Sequence, residues 1–166
     1  VVTYTVIPTT ASGCPGTAQT VSVTIHPVPL YTGALNATLC SGAQASVILS
    51  ASVPSGFSWQ ATDNPNVIGE STNIQTGPVI DNTLINSTSN IETVIYTVTA
   101  TATNGNCAGT PQQVTITVNP IPQVTNSGTY SACSGTALNI PLASNIPSIF
   151  SWAATDNPNT TGESTG

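Results

Sequence analysis

Four cysteines, six acids and one histidine supply most of the reactive side chains here, and Lys, Arg and Met are absent. The single imidazole, His26, has little to work with. Nucleophilic and general acid–base catalysis need a base held beside a nucleophile and oriented by a third group, and no Ser-His-Asp constellation can be assembled around it. The acids are more suggestive. Four of the six lie in two copies of D-N-P-N-x-x-G-E, which hold Asp63 and Glu70, then Asp156 and Glu163. Asn64, Asn66, Asn157 and Asn159 add side-chain oxygens to the same two loops. Hard cations such as calcium take about six to eight oxygens from a bent loop, so these eight residues form a candidate calcium site that Asp81 could join. The competing reading is an Asx turn, in which Asp and Asn bond their own backbone and Pro sets the bend.

The chain has 166 residues, of which 29 are Thr and 18 Ser, and a formal net charge of −6. Only 4% of its residues are charged, against about 25% in ordinary soluble proteins. Without a cation the chain cannot neutralise phosphates, which excludes nucleic-acid partners. It has neither a polybasic patch for anionic lipid nor the lysine of a phosphate-binding P-loop. Isopeptide crosslinks fail for want of an amine. No apolar run approaches the ~18–20 residues that cross a bilayer as a helix. Thr, Val and Ile outnumber the good helix formers, so strands are expected and helices are not.

An internal repeat organises the rest. Residues 14–29 read CPGTAQTVSVTIHPVP and residues 107–122 read CAGTPQQVTITVNPIP, at an offset of 93. The same offset carries Cys40-Ser41-Gly42 onto Cys133-Ser134-Gly135, and FSWQATDNPNVIGEST from Phe57 onto FSWAATDNPNTTGEST from Phe150. At the offset, His26 becomes Asn119, so the repeat does not depend on an imidazole there. Pro27–Pro29 and Pro120–Pro122 are natural stiff joints. On that cut, residues 1–29 are the C-terminal part of one repeat, 30–122 a complete repeat, and 123–166 the N-terminal half of a third. The expectation is an excerpt of a longer tandem array. Pairing of the two incomplete ends between molecules is the alternative, though together they lack a counterpart of residues 74–93.

Strands follow from period-2 alternation. Val94, Tyr96, Val98, Ala100 and Ala102 share one face, with Thr97, Thr99, Thr101 and Thr103 opposite. Val114, Ile116 and Val118 repeat the pattern after Asn104-Gly105, a hairpin signal. Val47 with Leu49, Phe57 with Trp59, and Leu84 with Ile85 mark further strands. About seven short strands in a repeat of this length predict an all-β, immunoglobulin-like antiparallel sandwich. Trp59 and Trp152 stand where such sandwiches bury an aromatic, with sugar stacking as the sharper alternative. Asn36, Asn86 and Asn159 each open an N-x-S/T glycosylation acceptor pattern.

Cys14, Cys40, Cys107 and Cys133 form no C-x-x-C, which argues against zinc and redox motifs. In a Ser/Thr-rich chain of secreted type, disulfides are the default. The expected bridge is Cys40–Cys107 within the complete repeat, with Cys14 and Cys133 pairing to residues outside this sequence; such a loop closure contributes about 3–4 kcal/mol. One difficulty is visible already. Cys40 belongs to the turn after the first strand and Cys107 to the last hairpin turn, which lie at opposite poles of a simple sandwich. Pairing across neighbouring repeats is therefore the alternative.

The run from CSG through FSW-x-AT-DNPN-x-x-GEST to YTVTATATNGNCAGTPQQVTITVNPIP resembles the PKD-like repeats of Bacteroidota surface proteins. Those repeats occur in giant gliding-motility (SprB-like) adhesins exported by the type IX system. The resemblance implies immunoglobulin-like sandwiches strung into cell-surface filaments. The function to expect is a non-enzymatic extracellular spacer in adhesion or gliding, contacting neighbouring repeats and other filament copies, with calcium as the one candidate cofactor. A carbohydrate- or partner-binding module, or the spacer repeats of a secreted hydrolase, are the alternatives.

Overall fold

The computed structural model describes residues 1–163; residues 164–166, which include the last two of the second GEST copy, lie outside them. Eleven strands run in the order β1 (Val2–Val6), β2 (Gln19–Val23), β3 (Asn36–Cys40), β4 (Val47–Ile48), β5 (Ser55–Ala61), β6 (Val67–Ile68), β7 (Gln75–Thr76), β8 (Val79–Ile80), β9 (Ile85–Asn86), β10 (Glu92–Ala102) and β11 (Gln112–Asn119). No helix occurs among the described residues.

The two longest strands carry the alternation read from the sequence. β10 and β11 pair antiparallel, with Val94 opposite Ile116 and Tyr96 opposite Val114. β5 lines the other side of β10, with Trp59 opposite Val98, and β7 closes that edge on Trp59. The order of this five-stranded sheet is β3-β11-β10-β5-β7. Its apolar face meets a second layer built from two short antiparallel pairs, β4–β8 and β6–β9. Val47, Leu49, Val67, Ile80 and Leu84 pack from that side against Trp59, Val94, Tyr96, Val98, Val114, Ile116 and Val118. The result is an all-β, immunoglobulin-like sandwich with apolar residues inward and the alternating Thr of β10 and β11 outward.

One edge departs from the antiparallel expectation: β3 pairs parallel to β11, with Ala37 beside Ile116 and Cys40 beside Asn119. The reason lies in the path of the chain. First and last strand of the repeat run the same way, so the chain leaves at the pole opposite the one where it arrives. We call these the trailing and leading poles.

Tyr96 ties the layers together. Its ring meets Trp59 edge-to-face, with centroids 5.8 Å apart and planes at 67°, an arrangement that favours aromatic pairs beyond simple burial. Its hydroxyl donates to Asn82 Oδ1 at 2.8 Å, which also accepts the Ser71 N–H at 3.1 Å. Burial, and then the negative charge of Glu70, push that hydroxyl well above the ordinary tyrosine range.

The flanking residues repeat this geometry locally. β1 and β2 pair antiparallel as β10 and β11 do, with Tyr4 opposite Val21. No second layer covers them: Tyr4 is 55% exposed and its counterpart Tyr96 is 0% exposed. At the start of the third copy, the Tyr31–Ala51 bridge recurs as Val124–Ser144, and the bond from Thr32 N–H to the Ser50 carbonyl recurs from Thr125 N–H to that of Ala143. Trp152, the counterpart of buried Trp59, is 53% exposed.

Two outcomes follow for Tyr96. Tyr96→Phe should cost about 1 kcal/mol, the usual net worth of a neutral hydrogen bond, measured by urea unfolding. The core accepts only the neutral hydroxyl, so its contribution is whole below the unfolded-state value near pH 10 and is lost as pH rises above it. The wild-type chain should therefore lose stability above about pH 10, and Tyr96→Phe should lose less over the same window.

Candidate functional site

The first D-N-P-N loop is a turn held from a distant strand. Asn64 Oδ1 accepts the Asn66 N–H at 3.0 Å, and the Val67 N–H reaches the Asn64 carbonyl at 2.9 Å. That is the Asx arrangement, with Pro65 fixing the bend. Glu70 Oε1 accepts the Asn64 backbone N–H at 3.1 Å. The two amide groups point to one carboxylate: Asn64 Nδ2 donates to Glu92 Oε2 at 3.3 Å and Asn66 Nδ2 to Glu92 Oε1 at 3.1 Å. The Thr88 hydroxyl oxygen stands 3.3 Å from the same Oε1. Glu92, at the start of β10, is thus the anchor of the loop, and nothing in the local motif announces it.

The second copy isolates the intrinsic part of this geometry. Asn159 N–H bonds Asn157 Oδ1 at 3.1 Å and Thr160 N–H bonds the Asn157 carbonyl at 2.9 Å. Glu163 accepts the Thr160 hydroxyl, which with nearby backbone donors lowers its carboxyl below the usual range. The turn forms with no strand beside it, so D-N-P-N encodes its own bend. Among the described residues, no group of three or more His, Cys, Asp or Glu side chains converges as a metal site would require. An open depression of about 250 Å³ beside Asp63 and Asn64 is otherwise lined by Thr62, Pro65, Thr93 and Ile95.

A second polar group sits at the trailing pole. Asn86, 7% exposed, donates from Nδ2 to the carbonyls of Asn90 at 2.6 Å and Val118 at 3.0 Å. Its Oδ1 accepts from both the N–H and the hydroxyl of Thr88, and its own N–H donates to Ser41 Oγ at 2.9 Å. Both amide hydrogens are in use and buried, so the folded chain does not offer Asn86 for glycosylation.

The joint between repeats is the most built feature. His26 lies over the β10–β11 turn: a Cβ on Gly105 would come 2.4 Å from His26 Cγ, and Gly105 itself has φ +81°. Glycine satisfies both demands, leaving the ring its seat and tolerating a left-handed backbone. Pro29, a fully buried side chain, presses on the next turn, with its carbonyl oxygen 2.5 Å from where a Cβ on Gly109 would stand. Gly109 N–H in turn bonds the Ala100 carbonyl at 2.8 Å. Leu30 then exchanges hydrogen bonds with Ser52, at 2.8 Å through its carbonyl and 3.0 Å through its N–H. The H-P-V-P segment is anchored on the leading pole of residues 30–122 at two points, the His26 ring against Gly105 and the buried Pro29 against Gly109, while Pro27 and Val28 stay exposed. His26 serves here as packing.

The fold does not bring Cys40 and Cys107 together. Cys107 stands at the leading pole, where its carbonyl accepts the Ala102 N–H at 2.9 Å; Cys40 stands beside Asn119 at the trailing pole. The 11 residues of β10 separate those poles by roughly 30 Å at ~3.3 Å per residue, whereas a disulfide needs Cα atoms within about 7 Å. Among the described residues all four thiols are free. Another open depression, about 460 Å³ between β5, β7 and Thr101, is lined by Ser, Thr, Gly, Pro and Phe residues with no ionisable group.

Glu92→Ala should cost about 1–3 kcal/mol in urea unfolding, the range for hydrogen bonds to a charged group. Glu163→Ala should leave the unfolding midpoint at the wild-type value, as a free surface site does. Millimolar calcium should leave the melting temperature unchanged, since Asn64 Oδ1 and Glu70 Oε1 already accept backbone N–H groups; a saturable rise would instead reassign the loop oxygens to a cation.

Comparison with known proteins agrees with this architecture. The PKD-like domain profile matches residues 37–122 and again 130–166, two successive copies that together cover most of the chain. Among curated proteins, none matches it. PKD-like domains are typically extracellular and non-catalytic, and no helix among the described residues is long and apolar enough to cross a membrane. With its sandwich, its recurring hydrogen bonds and two matched copies, the chain belongs to the PKD-like domain family.

Proposed function

We propose that this chain is a stretch of head-to-tail spacer repeats in a long cell-surface filament or adhesin of the gliding-motility type, with neighbouring repeats, and other copies of the filament, as its partners. The observation that carries the reading is the docked joint. A flexible tether would need no buried Pro29 and no glycine seat for His26, whereas a spacer that must transmit position along its length needs both. Each repeat then adds on the order of 40 Å, from strands of ~8 residues at ~3.3 Å plus loops. Stability and stiffness come from each repeat and its contact with the next, as in other quasi-linear arrays. The polar bonds of the D-N-P-N loop recur in two copies, which suits a structural turn better than diversified recognition of ligands.

Electron micrographs and small-angle scattering of the purified chain should give an elongated particle. Gly105→Ala should loosen it, because the new methyl displaces His26 and strains the turn; the expected readout is a broader distance distribution with the core still folded. Independent flexible beads in the wild type would overturn the spacer reading, and a saturable hit on a glycan array would move it to a carbohydrate-binding module.

A further inference from the structure

We infer that successive repeats are stapled covalently, the first cysteine of each repeat (the Cys40 position) bonding to the second cysteine of the repeat that follows (the Cys107 position). The inference rests on the tandem reading above and on three placements. First, Cys40 stands beside Asn119 in the parallel β3–β11 ladder, and the Ser41 N–H fixes the same corner by bonding the Asn119 carbonyl at 2.8 Å. Second, the offset of 93 makes His26 the counterpart of Asn119. Third, at the one joint present, Cys107 lies on that counterpart: its Sγ is 3.9 Å from the His26 carbonyl oxygen.

Joined together, these placements define a site. In a complete preceding repeat, the Cys40 equivalent would stand one strand away from His26, about 4.8 Å across the ladder. Cys107 Sγ already lies against the His26 carbonyl, the counterpart of the Asn119 carbonyl that Ser41 N–H bonds, so the two cysteine positions converge on one strand end, as a bridge needing Cα atoms within about 7 Å requires. The same offset sorts all four cysteines. Cys14 takes the Cys107 position and Cys133 the Cys40 position, so each of the four has its partner in a repeat beyond residues 1–166. The alternative bridge inside one repeat would have to span the long axis of the sandwich.

Bond formation proceeds by thiol–disulfide exchange with a disulfide-bearing oxidant. One cysteine thiolate attacks the oxidant to give a mixed disulfide, and the second displaces it. The inter-repeat S–S bond forms as the oxidant is reduced to two thiols, one released at each step, which carry away the two electrons and two protons.

The test completes the third repeat by adding a second copy of residues 74–122 after Gly166, which places a copied Cys107 at the joint formed by Asn119–Pro122. The chain is oxidised with glutathione disulfide, alkylated, and cut after acidic residues, since it has no Lys or Arg for trypsin. The expected map links Cys40 to the copied Cys107 and leaves Cys14, Cys107 and Cys133 alkylated. Cys40→Ser should abolish the link and Cys107→Ser should leave it intact. A Cys40–Cys107 link within one repeat, or a Cys40 that remains alkylated, overturns the inference. Scattering on the same sample separates the two readings: an elongated particle with unlinked Cys40 defeats the staple alone, and a particle without the elongated profile defeats the tandem reading as well. In the 166-residue chain at low concentration, all four thiols should remain alkylatable; an intrachain bridge there would also overturn the inference.

Discussion

Parallel pairing of β3 with β11 is the constraint on which the remaining structure depends. An antiparallel first-and-last pair would return the chain to the pole where it arrived, and successive copies would have to fold back on one another. With both strands running the same way, residues 30–122 receive the chain at one end and release it at the other. The seat made by Gly105, Cys107 and Gly109 and the segment His26–Pro29 that fills it are then two sides of one joint. The separation of the two cysteines of a repeat has the same origin.

The interior follows from very few residue types. Apolar side chains from two layers fill it, and the buried polar groups are nearly all paired. Asn82 bonds Tyr96 and Ser71; Asn86 uses both ends of its amide, and Ser41 bonds it from β3's end. Among the described residues, Trp59 Nε1 is the buried side-chain polar atom without a partner. In a chain with no cation to pair, fixed amide–carboxylate contacts such as those on Glu92 take the place that ion pairs hold elsewhere.

Much of this was legible in the sequence, and the limits have physical causes. Strict alternation over many residues marks β10 and β11, and the buried faces of Val94 to Ala102 and Val114 to Val118 are those the period indicates. Trp59 in the core and the Asx bend at Asn64 were readable for the same kind of local reason. The pairs β4–β8 and β6–β9 were not, because two residues are too few to show a period. Glu92 escaped notice because its partners lie 26 and 28 residues earlier, and Asn86 because a buried amide looks like any other Asn in a chain rich in them. The parallel edge at β3 was invisible too: strand direction is set by the route of the whole chain, to which alternation is blind.

The joint at His26–Pro29 has one more consequence. If every copy is seated on its predecessor by the same residues, a single rotation and a single rise relate each copy to the next. Repetition of one such operation generates a screw. Pitch and handedness of any assembled length would then be properties of about four residues and their seat, and a small angular change at that contact, multiplied over the run, would wind or unwind the whole fibre.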